Sequence, residues 1–228
     1  MHPDQRSRRS PRSPRPGLAA LACRRTLPVL ALGLFTLAAC GSKSQDDNPG
    51  DQPASPKAQV KFKGSDRLLN DFARALELDK GEVCNEFGRY SCTDLVHKVA
   101  LGGVAAYDQG IFEPLESASV TSPIAAERLA LSACITRVDA DLTGSAPVIF
   151  RDLAIRDGKL SNLESQAVSQ AIDTMYRRAV QRTATPGEIT ALRRLYRDVE
   201  ARGGDAPARD WAVLTCFSVM TTMEQLFY

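Results

Sequence analysis

His97 stands in the chain with Asp94 three residues before it and Glu86 eleven before it. An imidazole oriented by a carboxylate can serve as a general base, so His97 with Asp94 or Glu86 is one candidate chemistry. The plainer reading of His97 is a polar residue on a short helix beside a cysteine loop. The other histidine, His2, lies far upstream. One imidazole cannot build a multi-histidine metal site. Cysteine offers more. Cys84, Cys92, Cys134 and Cys216 form an even set, and four cysteines permit three disulfide pairings. Cys84 and Cys92 flank a short loop containing Gly88, and Cys134 and Cys216 fall on apolar faces of segments expected to pack together. The favoured pairing is therefore 84–92 with 134–216. Zinc sites place paired ligands roughly two to four residues apart. Here the nearest two cysteines are separated by seven residues, so no metal ligand set is assigned.

Other constellations are thinner. Asp139-Ala140-Asp141-Leu142-Thr143-Gly144 copies the first half of a calcium loop, but Phe150 occupies the position that needs a bidentate glutamate. A helix end carrying two acids explains it better. Arg177, Arg178, Arg182, Arg193, Arg194 and Arg197 cluster on two consecutive segments, with Asp198 four residues after Arg194. They read as solvated helix faces, or else as a surface for an acidic partner or anionic headgroups. After Cys40 the chain contains no Gly-x-Ser-x-Gly elbow, phosphate loop or Gly-x-Gly-x-x-Gly. Cys-x-x-Cys-His is also missing there, which removes the usual covalent haem motif. No catalytic residue and no cofactor is assigned.

Cys40 is the remaining reactive thiol of interest, because Leu37-Ala38-Ala39-Cys40 closes an apolar run preceded by Arg24 and Arg25. That run, Thr26 to Ala39, is 14 residues long. As a helix it would span about 21 Å, short of the roughly 30 Å core of a bilayer. Its length suits the apolar region of a cleavable signal. The pattern resembles bacterial lipoprotein signals, which implies that Cys40 carries fatty acyl groups such as palmitate and becomes the first mature residue. Acyl chains contribute about 0.8 kcal/mol per buried methylene, so two or three hold firmly. Residues 1–39 are then a signal segment, and the membrane is a partner through lipid. Gly41, rather than Asp, after the cysteine points to the outer membrane.

Removing that segment reverses the charge balance. Seven of the 29 basic residues precede Cys40 with a single acid, leaving 22 basic and 26 acidic side chains beyond it. An exported, mildly acidic chain lacks the concentrated basic surface of nucleic-acid binders. Residues 40–64 are rich in Asp, Pro, Gly and Ser with no apolar periodicity, and read as a lipidated disordered tether. Residues 65–228 are long enough for one core.

Within them helical spacing dominates. Asp66 to Leu78 and Thr93 to Leu101 show amphipathic stripes. Ser122-Pro123 reads as a helix start, followed by an apolar stripe toward Asp141. Ser161 with Glu164, and Thr185 with Glu188, have the spacing of capping boxes opening two more helices. Pro207 to Phe227 is apolar nearly all round, as a central helix would be. Pro147 to Phe150 is the one strand-like run. The expected fold class is all-α, a single bundle of about six helices with two disulfides.

Two stretches, Cys84-Asn85-Glu86-Phe87-Gly88-Arg89-Tyr90-Ser91-Cys92 with Leu101-Gly102-Gly103, and Tyr176-Arg177-Arg178-Ala179 with Thr185-Pro186-Gly187-Glu188 and Cys216 to Tyr228, carry a resemblance. They resemble uncharacterised bacterial lipoproteins. The second is also similar to helical domains of unknown function that accompany c-type cytochrome modules. The resemblance implies an exported helical domain and no activity of its own. The expected function is a lipid-anchored envelope protein that binds an envelope partner or has a structural role. The alternatives are an envelope enzyme using His97 and neighbouring carboxylates, or an accessory to an exported haem redox protein.

Overall fold

The computed structural model describes residues 61–114, 118–144 and 147–228. Cys40, the signal segment 1–39 and most of the tether lie outside the described residues. Among the described residues helix dominates, as α1 (Ser65–Leu76), α2 (Lys80–Val83), α3 (Ala106–Gln109), α4 (Ser122–Thr143), α5 (Gln166–Val180), α6 (Pro186–Ala201), α7 (Pro207–Met220) and α8 (Met223–Leu226). Two small antiparallel hairpins interrupt them, β1 (Asn85–Glu86) with β2 (Tyr90–Ser91), and β3 (Ile155–Arg156) with β4 (Lys159–Leu160). The body is thus mostly helical with two disulfides, and its hairpins and short helices go beyond a plain six-helix bundle. None of the described helices is long and apolar enough to cross a membrane.

The nearly all-apolar α7 does lie at the centre. Trp211 is fully buried, donates its indole N–H to the Leu192 carbonyl at 2.8 Å, and meets Phe150 and Tyr196 edge-on. Helix α4 packs along α7, and the Cys134–Cys216 disulfide joins them. That bridge spans a sequence separation of 82. Closing a loop of that length stabilises by roughly 4 kcal/mol in the chain-entropy model.

A buried ion pair further along the same inward face of α4 adds a second tie. Arg137 and Asp141, one turn apart, meet at 2.8 Å, both nearly inaccessible to solvent. Asp141 also accepts the backbone N–H groups of Val148, Ile149 and Phe150 at 2.7–2.9 Å. Arg137 donates to the carbonyls of Leu76 and Glu77 at the end of α1. This one pair therefore ties α1, α4 and the 148–150 turn together. It also settles two sequence features. The run Pro147 to Phe150 is not a strand, because three successive N–H groups wrap one carboxylate. The calcium-like segment is structural: Asp141 is occupied, and Asp139 holds Arg209 at 2.7 and 2.9 Å.

Several expected boundaries shift for local reasons. The Thr185–Glu188 capping box forms with both reciprocal bonds. Its glutamate also receives Arg182 at 2.7 Å, and chiefly that bond, together with the Thr185 bonds and despite some burial, lowers its pKa from 4.5 to about 2. Ser161 and Glu164 form no such box. Ser165 caps α5 instead, accepting from the Val168 N–H. Ser122 lies inside α4 rather than capping it, and donates to the Ala100 carbonyl at 2.6 Å. The expected helix 93–101 is a single π-helical turn, Cys92–Val96, followed by turns. The final helix breaks after Met220. There the Thr221 and Thr222 hydroxyls bond the Phe217 and Val219 carbonyls, and Thr222 is extended before α8. Residues 61–63, assigned to the tether by composition, pair with the C-terminus: Lys61 and Tyr228 exchange two 3.0 Å backbone bonds.

Removing the Asp141 carboxylate would strand the Arg137 charge and three amides in the interior. Asp141→Ala is expected to cost about 3–5 kcal/mol of unfolding free energy, measured by denaturant titration. A loss under about 1 kcal/mol would show that the pair does not organise the fold.

Candidate functional site

The loop between Cys84 and Cys92 is held from several sides. A disulfide closes its base, and the Cys92 N–H donates to the Cys84 carbonyl at 3.2 Å. Above that rung Asn85 pairs with Ser91 and Glu86 with Tyr90. Phe87 and Gly88 form the tip with φ of 53° and 67°. With Glu86 paired to Tyr90 the loop is three residues, Phe87-Gly88-Arg89, and the positive φ at the first two, with the Arg89 N–H donating to the Glu86 carbonyl at 3.1 Å, makes the tight turn. Glycine adopts that conformation freely, whereas an aromatic residue does so at a cost.

Further bonds hold the hairpin from outside. The Asn85 amide donates to the Gly81 carbonyl. The Ser91 hydroxyl accepts the Asp94 N–H and donates to its carboxylate at 2.7 Å, capping the π-helical turn. Glu86 Oε1 lies 3.0 Å from His97 Nε2 and accepts from the Arg128 guanidinium at 2.8 Å. The structure therefore brings His97 to Glu86, while Asp94 turns to Ser91. The hydrogen bond from His97, then that from Arg128, keeps the Glu86 carboxyl below its ordinary pKa of 4.5, against a smaller opposing effect of burial.

Arg128 extends the site onto α4. Ile124, Arg128, Leu131 and Ile135 follow at spacings of four, three and four residues, a single helical stripe facing away from Cys134, Arg137 and Asp141. All three apolar members of the stripe are exposed, as are Leu95 and Val96 on the π-helical turn. At the hairpin tip Phe87 is 94 % exposed, and the Arg89 guanidinium stacks 5.3 Å from the centre of the half-exposed Tyr90 ring. The outcome is a rigid aromatic finger beside an apolar strip.

Metal chemistry does not fit this cluster. Ligand atoms of Glu86, Cys92 and His97 lie within 4.8 Å of one another. The Cys92 sulfur, however, is bonded to Cys84 and offers no thiolate. Nor do the clustered arginines make an anion-binding face, because carboxylates engage most of them. Arg177 pairs with Asp173, Arg178 with Glu77, Arg182 with Glu188 and Glu224, and Arg193 and Arg197 share Glu164. Arg194 alone of the six makes no ion pair among the described residues. Cys40 lies outside the described residues.

Sequence reasoning placed Cys84, Cys92, Cys134, Cys216 and His97, and it missed Phe87 and Arg128. A glycine midway in a short cysteine loop could have signalled a tight turn, and the bulky Phe87 just before it, at positive φ, is the anomaly there. No family model, no curated protein and no solved structure matches the chain.

Glu86→Gln removes the charge from both bonds that brace the hairpin. Amide exchange at Gly88 and Arg89 is expected to quicken about tenfold, since each charge-assisted bond is worth roughly 1.5 kcal/mol or more, with the α7 amides unchanged. Because the folded-state pKa is depressed, the bracing is complete above the ordinary 4.5 and fades as pH falls through and below it. The wild-type hairpin should loosen in that window and the variant should not change. Equal exchange in both proteins at neutral pH would count against the brace.

Proposed function

We propose that the protein acts by binding, as a lipid-anchored component of a bacterial cell envelope that offers its disulfide-clamped hairpin to a protein partner. Phe87 carries this reading. A bulky residue in the left-handed region costs on the order of 1–2 kcal/mol. At 94 % exposure the ring recovers none of that within the chain. Burial in another molecule would offset the strain, and strained, exposed residues on braced loops are found at recognition sites. Arg89 and Tyr90 complete the aromatic and arginine composition of energetic interface centres. Bracing by a disulfide and by Glu86 lowers the ordering cost of association. The partner chemistry that fits is an apolar socket with an acidic edge, because Arg89 has no carboxylate of its own among the described residues.

The anchor is proposed on the pattern Leu37-Ala38-Ala39-Cys40, with residues 41–60 as the span between acylated Cys40 and the body. Outer-membrane placement rests on Gly41. An acid–base enzyme is the second reading, favoured by the 3.0 Å His97–Glu86 bond, which would hold the imidazole in one orientation. It requires that His97→Gln abolish complementation of a deletion phenotype while partner capture survives. Intact complementation by that variant removes it.

A photo-crosslinking residue placed at Phe87 in intact cells is expected to trap one envelope protein. Phe87→Gly relieves the backbone strain, so the variant should keep its melting temperature or gain about 2–4 °C per kcal/mol relieved, while capture is lost. A lower melting temperature with capture retained would make the ring structural and end the proposal. For the anchor, the intact mass of the native protein is expected to equal a chain starting at Cys40 plus acyl groups. An unacylated chain starting earlier overturns that part alone.

A further inference from the structure

A pocket of about 370 Å³ opens at the N-terminus of α1, away from the hairpin tip, and its lining includes Gly64, Ser65, Asp66, Arg67, Lys98 and Gly103. That volume is at the small end of ligand cavities, which run from roughly 300 to 1,000 Å³. Gly64 occupies the cap position of this 12-residue helix, and no side chain caps the first-turn N–H groups. Those amides have no intrahelical acceptor, and they carry the positive end of the helix dipole.

Two independent observations add to the bare helix end. Ser65 is only 3 % exposed, yet its hydroxyl has no hydrogen-bond partner among the described residues. The oxygen is not one of the fully enclosed unpartnered atoms, so it stays open to the pocket that Ser65 lines, where an incoming acceptor can meet it. It sits against Gly103, where an added Cβ would fall 2.8 Å from Ser65 Oγ and 2.8 Å from Lys98 Cγ. The hydroxyl, the glycine backbone and the lysine stem thus converge on one wall. Only glycine permits that approach. The Lys98 ammonium has no ion-pair partner among the described residues. Arg67 leans back to Asp71 at 3.1 Å, and Asp66 is the one carboxylate among the lining residues.

We propose that this pocket binds a phosphate-bearing anion. The Ser65, Asp66 and Arg67 amides, the Ser65 hydroxyl and the Lys98 ammonium all belong to residues that line one small volume. A tetrahedral anion with several acceptor oxygens satisfies such a set, whereas a carboxylate with two oxygens leaves donors unmet. The phosphate group is free or belongs to a lipid headgroup, and the same donors serve both.

The test titrates the full chain in detergent with inorganic phosphate against acetate at equal ionic strength, by calorimetry. A second arm measures binding to vesicles containing phosphatidylglycerol. Saturable phosphate binding is expected, weakened about tenfold or more in Lys98→Gln and in Ser65→Ala, the loss of one charge-assisted bond each. Asp66→Asn removes a like charge and should tighten it. Ser65→Ala removes a hydroxyl that bonds nothing in the free protein, so its melting temperature in phosphate-free buffer should not fall. Phosphate saturation identifies a free anion. Vesicle binding alone, lost in Lys98→Gln, identifies a headgroup. Absence of both, an equal response to acetate, or binding unchanged in both weakened variants overturns the proposal.

Discussion

A carboxylate with no access to solvent needs its acceptor sites filled, and Asp141 fills them from two parts of the chain. Arg137 supplies the opposing charge from one turn earlier in α4, and residues 148–150 supply backbone amides. Arg137 in turn closes on the carbonyls that end α1. Desolvating these charges is costly, and good geometry recovers the cost only in one arrangement. The rotation of α4 about its axis is therefore set. With Arg137 and Asp141 facing inward, Cys134 meets Cys216 on α7, and Arg128 lies on the opposite face where it reaches Glu86.

That inheritance explains the character of the surface. The hairpin between Cys84 and Cys92 is too short to hold a shape by itself, since isolated two-stranded ribbons are marginal in water. Its disulfide, the Ser91–Asp94 cap and the Glu86 contacts to His97 and Arg128 supply what the strands lack. His97 is one member of this brace. The strain at Phe87 persists because the surrounding bonds over-determine the turn. Rigidity of that kind suits recognition, where the entropy of ordering a loop otherwise weakens association.

Electrostatics divides the molecule unevenly. The arginines of α5, of α6 and of the turn between them are mostly spent on neighbouring carboxylates, such as Arg178 on Glu77, Arg182 on Glu188 and Glu224, and Arg193 on Glu164. Arg89 and Lys98 are not. Those two unpaired cations mark the hairpin finger and the α1 N-terminal pocket, and each sits beside groups whose own bonding is incomplete or strained.

Much of this was readable one residue at a time. Apolar spacing showed the long helices, the Thr185–Glu188 pair showed a cap, and uninterrupted apolarity showed that α7 would be central, because these signals depend on neighbours within one or two turns. The cysteine pairing was also legible, through loop length and helix faces. Asp157-Gly158, both at positive φ, is the local signal of the second hairpin. What the chain could not display locally was the environment of its charged groups. Arg137 reads like a break in an apolar stripe, Asp141 like half of a calcium loop, and His97 like a base awaiting Asp94. Their partners lie as far as 61 residues away, and a charge's role depends on which distant group reaches it once water is excluded. Local pattern set where the helices are; tertiary packing alone decided which polar groups are satisfied inside the fold and which are left for something else.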